Sequence, residues 1–136
     1  MVSYSILYKG KLRCDVTHND NKAALLTDAP KDNFGEGTSY SASDLVAVAL
    51  GTCIITTIGI KLRLVKVNID GTTVQVEKHM SADLPRRIAK IVVKLSFPSG
   101  IFHEYREKIK EIGDGCPVAK SLHPDVVQEI KYHFPD

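Results

Sequence analysis

Of the residue types that carry chemistry, cysteine offers the only constellation with a mechanism in this chain. Cys14, Cys53 and Cys116 are widely spaced, and no CxxC, HxxxH or Cys–His cluster of metal-ligand spacing accompanies them. The five histidines, His18, His79, His103, His123 and His133, are scattered. Gly35-Glu-Gly37 and Gly113-Asp-Gly115 lack the context of a phosphate-cradling loop, and no Gly-x-Ser-x-Gly elbow supports a serine nucleophile. A thiol reacts as thiolate, so each cysteine is weighed by what could favour its ionised form.

Cys53 falls within an apolar helical stretch, with Ala49, Leu50, Thr56 and Thr57 one helical turn away. Taken alone it reads as buried packing, since apolar burial raises a thiol pKa and free cysteine is among the most buried residue types. A reactive Cys53 would need a cation from elsewhere. Cys116 precedes Pro117, a good first residue of a helix, so Cys116 reads as the helix cap, where backbone N–H groups favour a thiolate. Gly113 and Gly115 leave room there for close backbone approach. A plain loop cysteine fits the same residues. Cys14, between Arg13 and Asp15 in an alternating segment, reads as strand packing.

The elements that must position these thiols follow from periodicity. Tyr4–Tyr8, Lys11–Thr17 and Ala23–Asp28 are predicted strands, separated by turns at Lys9-Gly10 and Asn19–Asn21. Ala29 to Gly37 is a loop. Ser41 or Ser43 caps a helix running to about Leu64, with Asp44 in its first turn. This helix has apolar residues on every side and must be enclosed on every side, which points to burial in an oligomer. Its uncharged run, Leu45 to Ile60, is shorter than the about 20 apolar residues of a bilayer crossing and reads as a core helix. Val67–Lys78, broken near Gly71, and Ile88–Phe97 are further strands. Ile101 to Ile112 is an amphipathic helix, Pro117 to Leu122 a short one, and Val126–Phe134 a closing strand. The order sheet, helix, sheet, helix, strand predicts an α+β fold in a single domain over residues 1–136.

Composition agrees and narrows the classes. The 136 residues carry 18 Lys and Arg against 16 Asp and Glu, for a net charge of +2. So even a balance argues against nucleic acid or a membrane surface as partner. Hydrophobic residues make up 43%, which excludes a disordered chain. The start has no signal-peptide pattern, and three sparse cysteines fit a reducing cytoplasm better than secretion.

Two segments together resemble a known family. Ser41-Ala-Ser-Asp-Leu-Val-Ala-Val-Ala-Leu-Gly-Thr-Cys53 is similar to the S-P-x-E-L-L-L-x-A-L-G-x-C segment of OsmC/Ohr-like proteins (osmotically inducible protein C and organic hydroperoxide resistance proteins). Cys116-Pro-Val-Ala-Lys-Ser-Leu122 is similar to their second signature, C-P-V-x-x-x-L. The loops Thr27–Pro30 and Asp83–Arg86 fall where that family has similar ones, so the resemblance spans nearly the whole chain. The chain has Ser43 where hydroperoxide-resistance members place a Glu, and Asp44 one residue later, as in the OsmC-like branch. Ser41-Ala42 replaces the usual Ser-Pro.

The resemblance implies antiparallel sheets around a central buried helix in an intertwined homodimer. It implies a thiol peroxidase reducing organic hydroperoxides, with Cys53 attacking, Cys116 resolving through a Cys53–Cys116 disulfide, and Cys14 left free. Arg13 would be the activating cation, with Arg86 and Arg87 as alternatives and Asp44 assisting its placement. No flavin, metal or other cofactor is implied. The electron donor would be an external dithiol, such as a lipoylated protein. A redox-sensing or small-ligand-binding dimer without efficient turnover is the alternative on the same fold.

Overall fold

The structure is a computed structural model that describes residues 1–136. The chain forms two compact units, Met1–Val46 and Ala47–Asp136.

The first unit is a meander of three strands, β1 (Tyr4–Gly10), β2 (Arg13–His18) and β3 (Ala24–Asp28), paired antiparallel in the order β1-β2-β3. Lys11 and Leu12 turn the first hairpin with positive φ, beside a bulge between Tyr8 and Gly10. Tyr4, Ile6, Leu7 and Tyr8 are all exposed in the single chain. Asp28 is the one fully buried residue of the strands, and Thr38 holds it. The Thr38 backbone N–H and hydroxyl both donate to Asp28 Oδ2, at 3.0 and 2.6 Å. The unit ends in the first turn of α1 (Ala42–Leu62). There the Asp44 N–H donates to Ser41 Oγ at 3.1 Å, and the Ser41 N–H donates to Asp44 Oδ2 at 2.8 Å. This reciprocal pair satisfies two of the helix's orphan donors and makes Ser41 the cap, with Asp44 in the place of the usual Glu.

In the second unit, α1 packs on a sheet of β4 (Thr73–Met80), β5 (Ile88–Ser96) and β6 (Val127–His133), with α2 (His103–Asp114) and α3 (Pro117–Ser121) between the last two strands. Leu50, Ile54 and Ile58, one helical turn apart, are wholly buried with Ile91, Val93 and Leu95 of β5. Truncating Ile54 to alanine in such a site costs about 2–5 kcal/mol. Gly51 lets α1 approach β4, since a Cβ there would stand 2.7 Å from Val76 Cγ2. The helix is long and apolar enough to cross a membrane by length and composition, and here it is the core helix of the unit.

Two expectations need correction. The sheets were expected to be wholly antiparallel, but β5 and β6 are parallel, from Lys90↔Val127 to Ser96↔His133. Parallel neighbours need a long crossover, which α2 and α3 supply. The strand expected from Val67 begins only at Thr73. Asn68 Oδ1 accepts the Asp70 N–H, and Gly71 sits at φ +88°, so the chain turns before it can pair. In the single chain the buried residues of α1 follow one face, while Val48 and Ile60 are exposed.

Candidate active site

The second unit brings two of the predicted site residues together. Cys53 lies in the middle of α1, partly buried, and its sulfur is 3.7 Å from the hydroxyl of Thr57, one turn on. Cys116 is fully buried at the start of α3. As the sequence predicts, it is the cap of that helix and Pro117 follows as its first residue. The Ala119 N–H donates to Cys116 Sγ at 3.4 Å. The Val118 N–H lies between the two sulfurs and favours the ionised form of each, ranking above the other donors at Cys53 and last among the influences on Cys116. Pro117 has no N–H to satisfy, so the free donors of the first turn of α3 are those of Val118, shared by both thiols, and Ala119, on Cys116.

The two cysteines are close enough for the Cys116 thiol to serve as hydrogen-bond donor to Cys53, and both are reduced. Their acidities move apart. Burial opposes ionisation of Cys53, but the Val118 N–H, the Thr57 hydroxyl and the Cys116 thiol together outweigh it and hold its pKa below the ordinary thiol value. At Cys116 burial dominates, and a neighbouring Cys53 thiolate adds to it, so its pKa is raised despite the Ala119 and Val118 N–H groups. This reverses the expectation that capping makes Cys116 the more acidic thiol: the cap geometry is present, but complete desolvation outweighs it. A low-pKa sulfur beside a neutral thiol can attack an electrophile and then pass its oxidised state to its neighbour.

The other predicted residues lie in the first unit or on the surface. Arg13 Nε is 3.4 Å from Asp28 Oδ2 and its Nη2 is 2.8 Å from Glu36 Oε2. The Thr38 hydroxyl and N–H, with the Arg13 charge behind them, keep Asp28 well on the ionised side of an ordinary carboxyl despite its burial. Asp44 is engaged with Ser41 in the cap. Arg87 pairs with Asp83 at 3.1 Å and donates to the Pro85 carbonyl at 2.9 Å. Cys14 sits in β2 opposite Thr27 and Tyr8. Two contacts of the thiol pair, the Thr57 hydroxyl and the Val118 N–H, were given no role in the sequence analysis. Thr57 was visible as a polar residue four positions after Cys53, but the Val118 amide depends on how α3 meets α1 and has no sequence signal.

An apolar cleft of about 330 Å³ opens along the other face of α1, between Val48, Gly51, Thr52 and Ile55 and the β4 residues Val74 and Val76. Neither thiol lines it.

Residues 35–131, most of the chain and including both cysteine segments, match the OsmC-like protein family. The chain belongs to this family. Among solved structures, a protein from Psychrobacter arcticus 273-4 described as a candidate osmotic stress induced and detoxification response protein is 38% identical. It covers 98% of this chain and 96% of its own, with a TM-score of 0.92. An organic hydroperoxide resistance protein OsmC from Legionella pneumophila superposes with a TM-score of 0.77 at 15% identity, over 98% of this chain and 96% of its own. A further hydroperoxide resistance protein, from Vibrio cholerae, was crystallised with captopril in one of its active sites. It is 16% identical with a TM-score of 0.76, over 97% of this chain and 90% of its own. These two distant likenesses establish the OsmC-like α+β fold, with two sheets and a core helix. No curated protein matches the chain.

Proposed function

We propose that this OsmC-like chain is a cysteine-based peroxidase that reduces organic hydroperoxides to alcohols, with Cys53 attacking and Cys116 resolving. The observation that carries the reading is the pair itself: adjacent thiols, one held toward the thiolate and its neighbour held neutral. Family membership and the hydroperoxide-resistance relatives of the same fold support a redox role.

The Cys53 thiolate attacks one peroxide oxygen, forming an S–O bond as the O–O bond breaks, and the alkoxide leaves as alcohol on taking a proton. The Val118 N–H and the Thr57 hydroxyl hold the charged sulfur before attack. The Cys116 thiol then attacks the Cys53 sulfenic acid. An S–S bond forms, the S–O bond breaks, and hydroxide departs with the thiol proton as water. An external dithiol reopens the disulfide by exchange and is itself oxidised. The raised pKa keeps Cys116 protonated while Cys53 attacks, and its proton passes to the departing hydroxide as its sulfur becomes the nucleophile.

The reading takes residues 1–136 as one functional domain in a cytoplasmic homodimer. In the first unit exposed Tyr4, Ile6, Leu7 and Tyr8 of β1, and in the second exposed Val48 and Ile60 of α1, are apolar residues that a second copy would cover. Arg13 is the proposed activating cation with Asp44 in support. That assignment comes from the family resemblance, and the carboxylates of Asp28 and Glu36 already answer much of its charge. The test is consumption of cumene hydroperoxide with dihydrolipoamide or dithiothreitol as donor. Catalytic turnover that disappears in Cys53→Ser is the expected result. A reversible Cys53–Cys116 disulfide without turnover would overturn the peroxidase in favour of a redox sensor.

A further inference from the structure

Tyr132, near the end of β6, donates its hydroxyl to Asp114 Oδ1 at 2.8 Å and reaches the Lys110 carbonyl at 3.3 Å. Asp114 is the last residue of α2 and the second of the short turn Gly113–Cys116. A carboxylate at the C-terminal end of a helix is opposed by the macrodipole, and no basic residue lies in that last turn to offset it. The tyrosine supplies the donor that position otherwise lacks. The hydroxyl sits so close to Gly113 that any Cβ there would collide with it, and the same Cβ would lie 3.1 Å from Ile54 Cγ2. The turn is therefore clasped between Tyr132 and Ile54, the residue that follows Cys53. Within it the Cys116 N–H donates to the Gly113 carbonyl at 3.3 Å. The Tyr132 ring is parallel to Phe97, centroids 6.4 Å apart, so the clasp is anchored in the core. Burial and the Asp114 carboxylate push the phenol pKa up, and it remains a donor at every working pH.

We propose that Tyr132 is a positioning residue for the resolving step: its bond to Asp114 holds the Gly113–Cys116 turn so that the Cys116 sulfur stays against Cys53. This rests on the assignment of Cys116 as resolving thiol. Tyr132 touches neither peroxide nor Cys53, so its loss leaves attack unchanged and slows only the closing of the disulfide on the Cys53 sulfenic acid.

The experiment compares wild type, Tyr132→Phe and Asp114→Asn, whose amide oxygen still accepts the phenol proton. One equivalent of cumene hydroperoxide is added, and Cys53 oxidation and Cys53–Cys116 bridging are timed separately by trapping and mass mapping. Tyr132→Phe should oxidise Cys53 within about twofold of wild type and bridge about tenfold more slowly, the effect of one charge-assisted hydrogen bond, while Asp114→Asn, which keeps a neutral acceptor, falls between the two at about threefold. A second arm uses diamide, whose azo bond accepts Cys53 and releases a hydrazine when Cys116 displaces it. If peroxide is inert but diamide bridging slows in Tyr132→Phe, the peroxidase reading fails and the clasp stands. Equal diamide bridging in wild type and Tyr132→Phe overturns the clasp whatever peroxide does. Absence of bridging in wild type with either oxidant overturns both.

Discussion

The middle of α1 and the turn between α2 and α3 each present one cysteine to the same contact, and they treat it in opposite ways. Cys53 is partly buried and receives the Val118 N–H and the Thr57 hydroxyl; Cys116 is fully buried, receives the Ala119 N–H with a lesser share of Val118, and faces its neighbour's charge. Both sulfurs have a helical amide, so amide donation alone does not decide acidity. The difference lies in desolvation and in which sulfur is charged first, since two adjacent thiols cannot both ionise cheaply. One helix start can thus set two sulfurs for two roles.

The strongest way to break this comparison is to remove the sulfur given the attacking role. Cys53→Ser should lower hydroperoxide consumption by about a thousandfold or more, measured as peroxide loss under excess donor. Residual turnover near wild type would move the attack to Cys116. Next in size is Cys116→Ser. Oxidation of Cys53 should continue through one equivalent per chain and then stall, with sulfinic acid accumulating at Cys53 by mass as peroxide is raised. Sulfinic acid on Cys116 of the wild type, with Cys53 spared, would exchange the two roles.

The comparison is sharpened by smaller changes. Thr57→Val removes the hydroxyl from the charged sulfur while keeping the branched shape, and should slow alkylation of Cys53 at pH 6 by ~3–10-fold, the effect of one hydrogen bond of about 0.5–1.5 kcal/mol. Alkylation at pH 10 should be unchanged, because the thiolate is then fully formed in both proteins. Smaller still is Arg13→Ala, expected to slow attack at pH 6 by about threefold, with Asp44→Asn weaker again. An Arg13→Ala effect larger than that of Thr57→Val would make the cation, not the local donors, the main source of Cys53 acidity.

The cap at Cys116 and the helix after it were legible because Gly115, Cys116 and Pro117 form a local signal that needs no tertiary knowledge. The core face of α1 was less so. An all-apolar helix hides which side meets the sheet, and only the observed packing selects Leu50, Ile54 and Ile58 over Val48 and Ile60. The parallel pairing of β5 with β6 was not legible, since alternation reports which residues face inward and not the direction of the neighbouring strand. The cap argument alone, without the family resemblance, ranks the acidity of the thiols the other way for a related reason. Local sequence shows the donors of α3, whereas the burial of Cys116 and the crossing of the Val118 amide to Cys53 arise from residues far apart in the chain.

The central claim is the split in acidity, and alkylation by iodoacetamide as a function of pH, mapped peptide by peptide, tests it directly. With Cys53 depressed, its rate should fall about tenfold per pH unit only below a midpoint under the ordinary thiol value, and should be level above it. With Cys116 raised, its own midpoint should lie above that of a free thiol. A Cys116 midpoint lower than that of Cys53 would contradict the account.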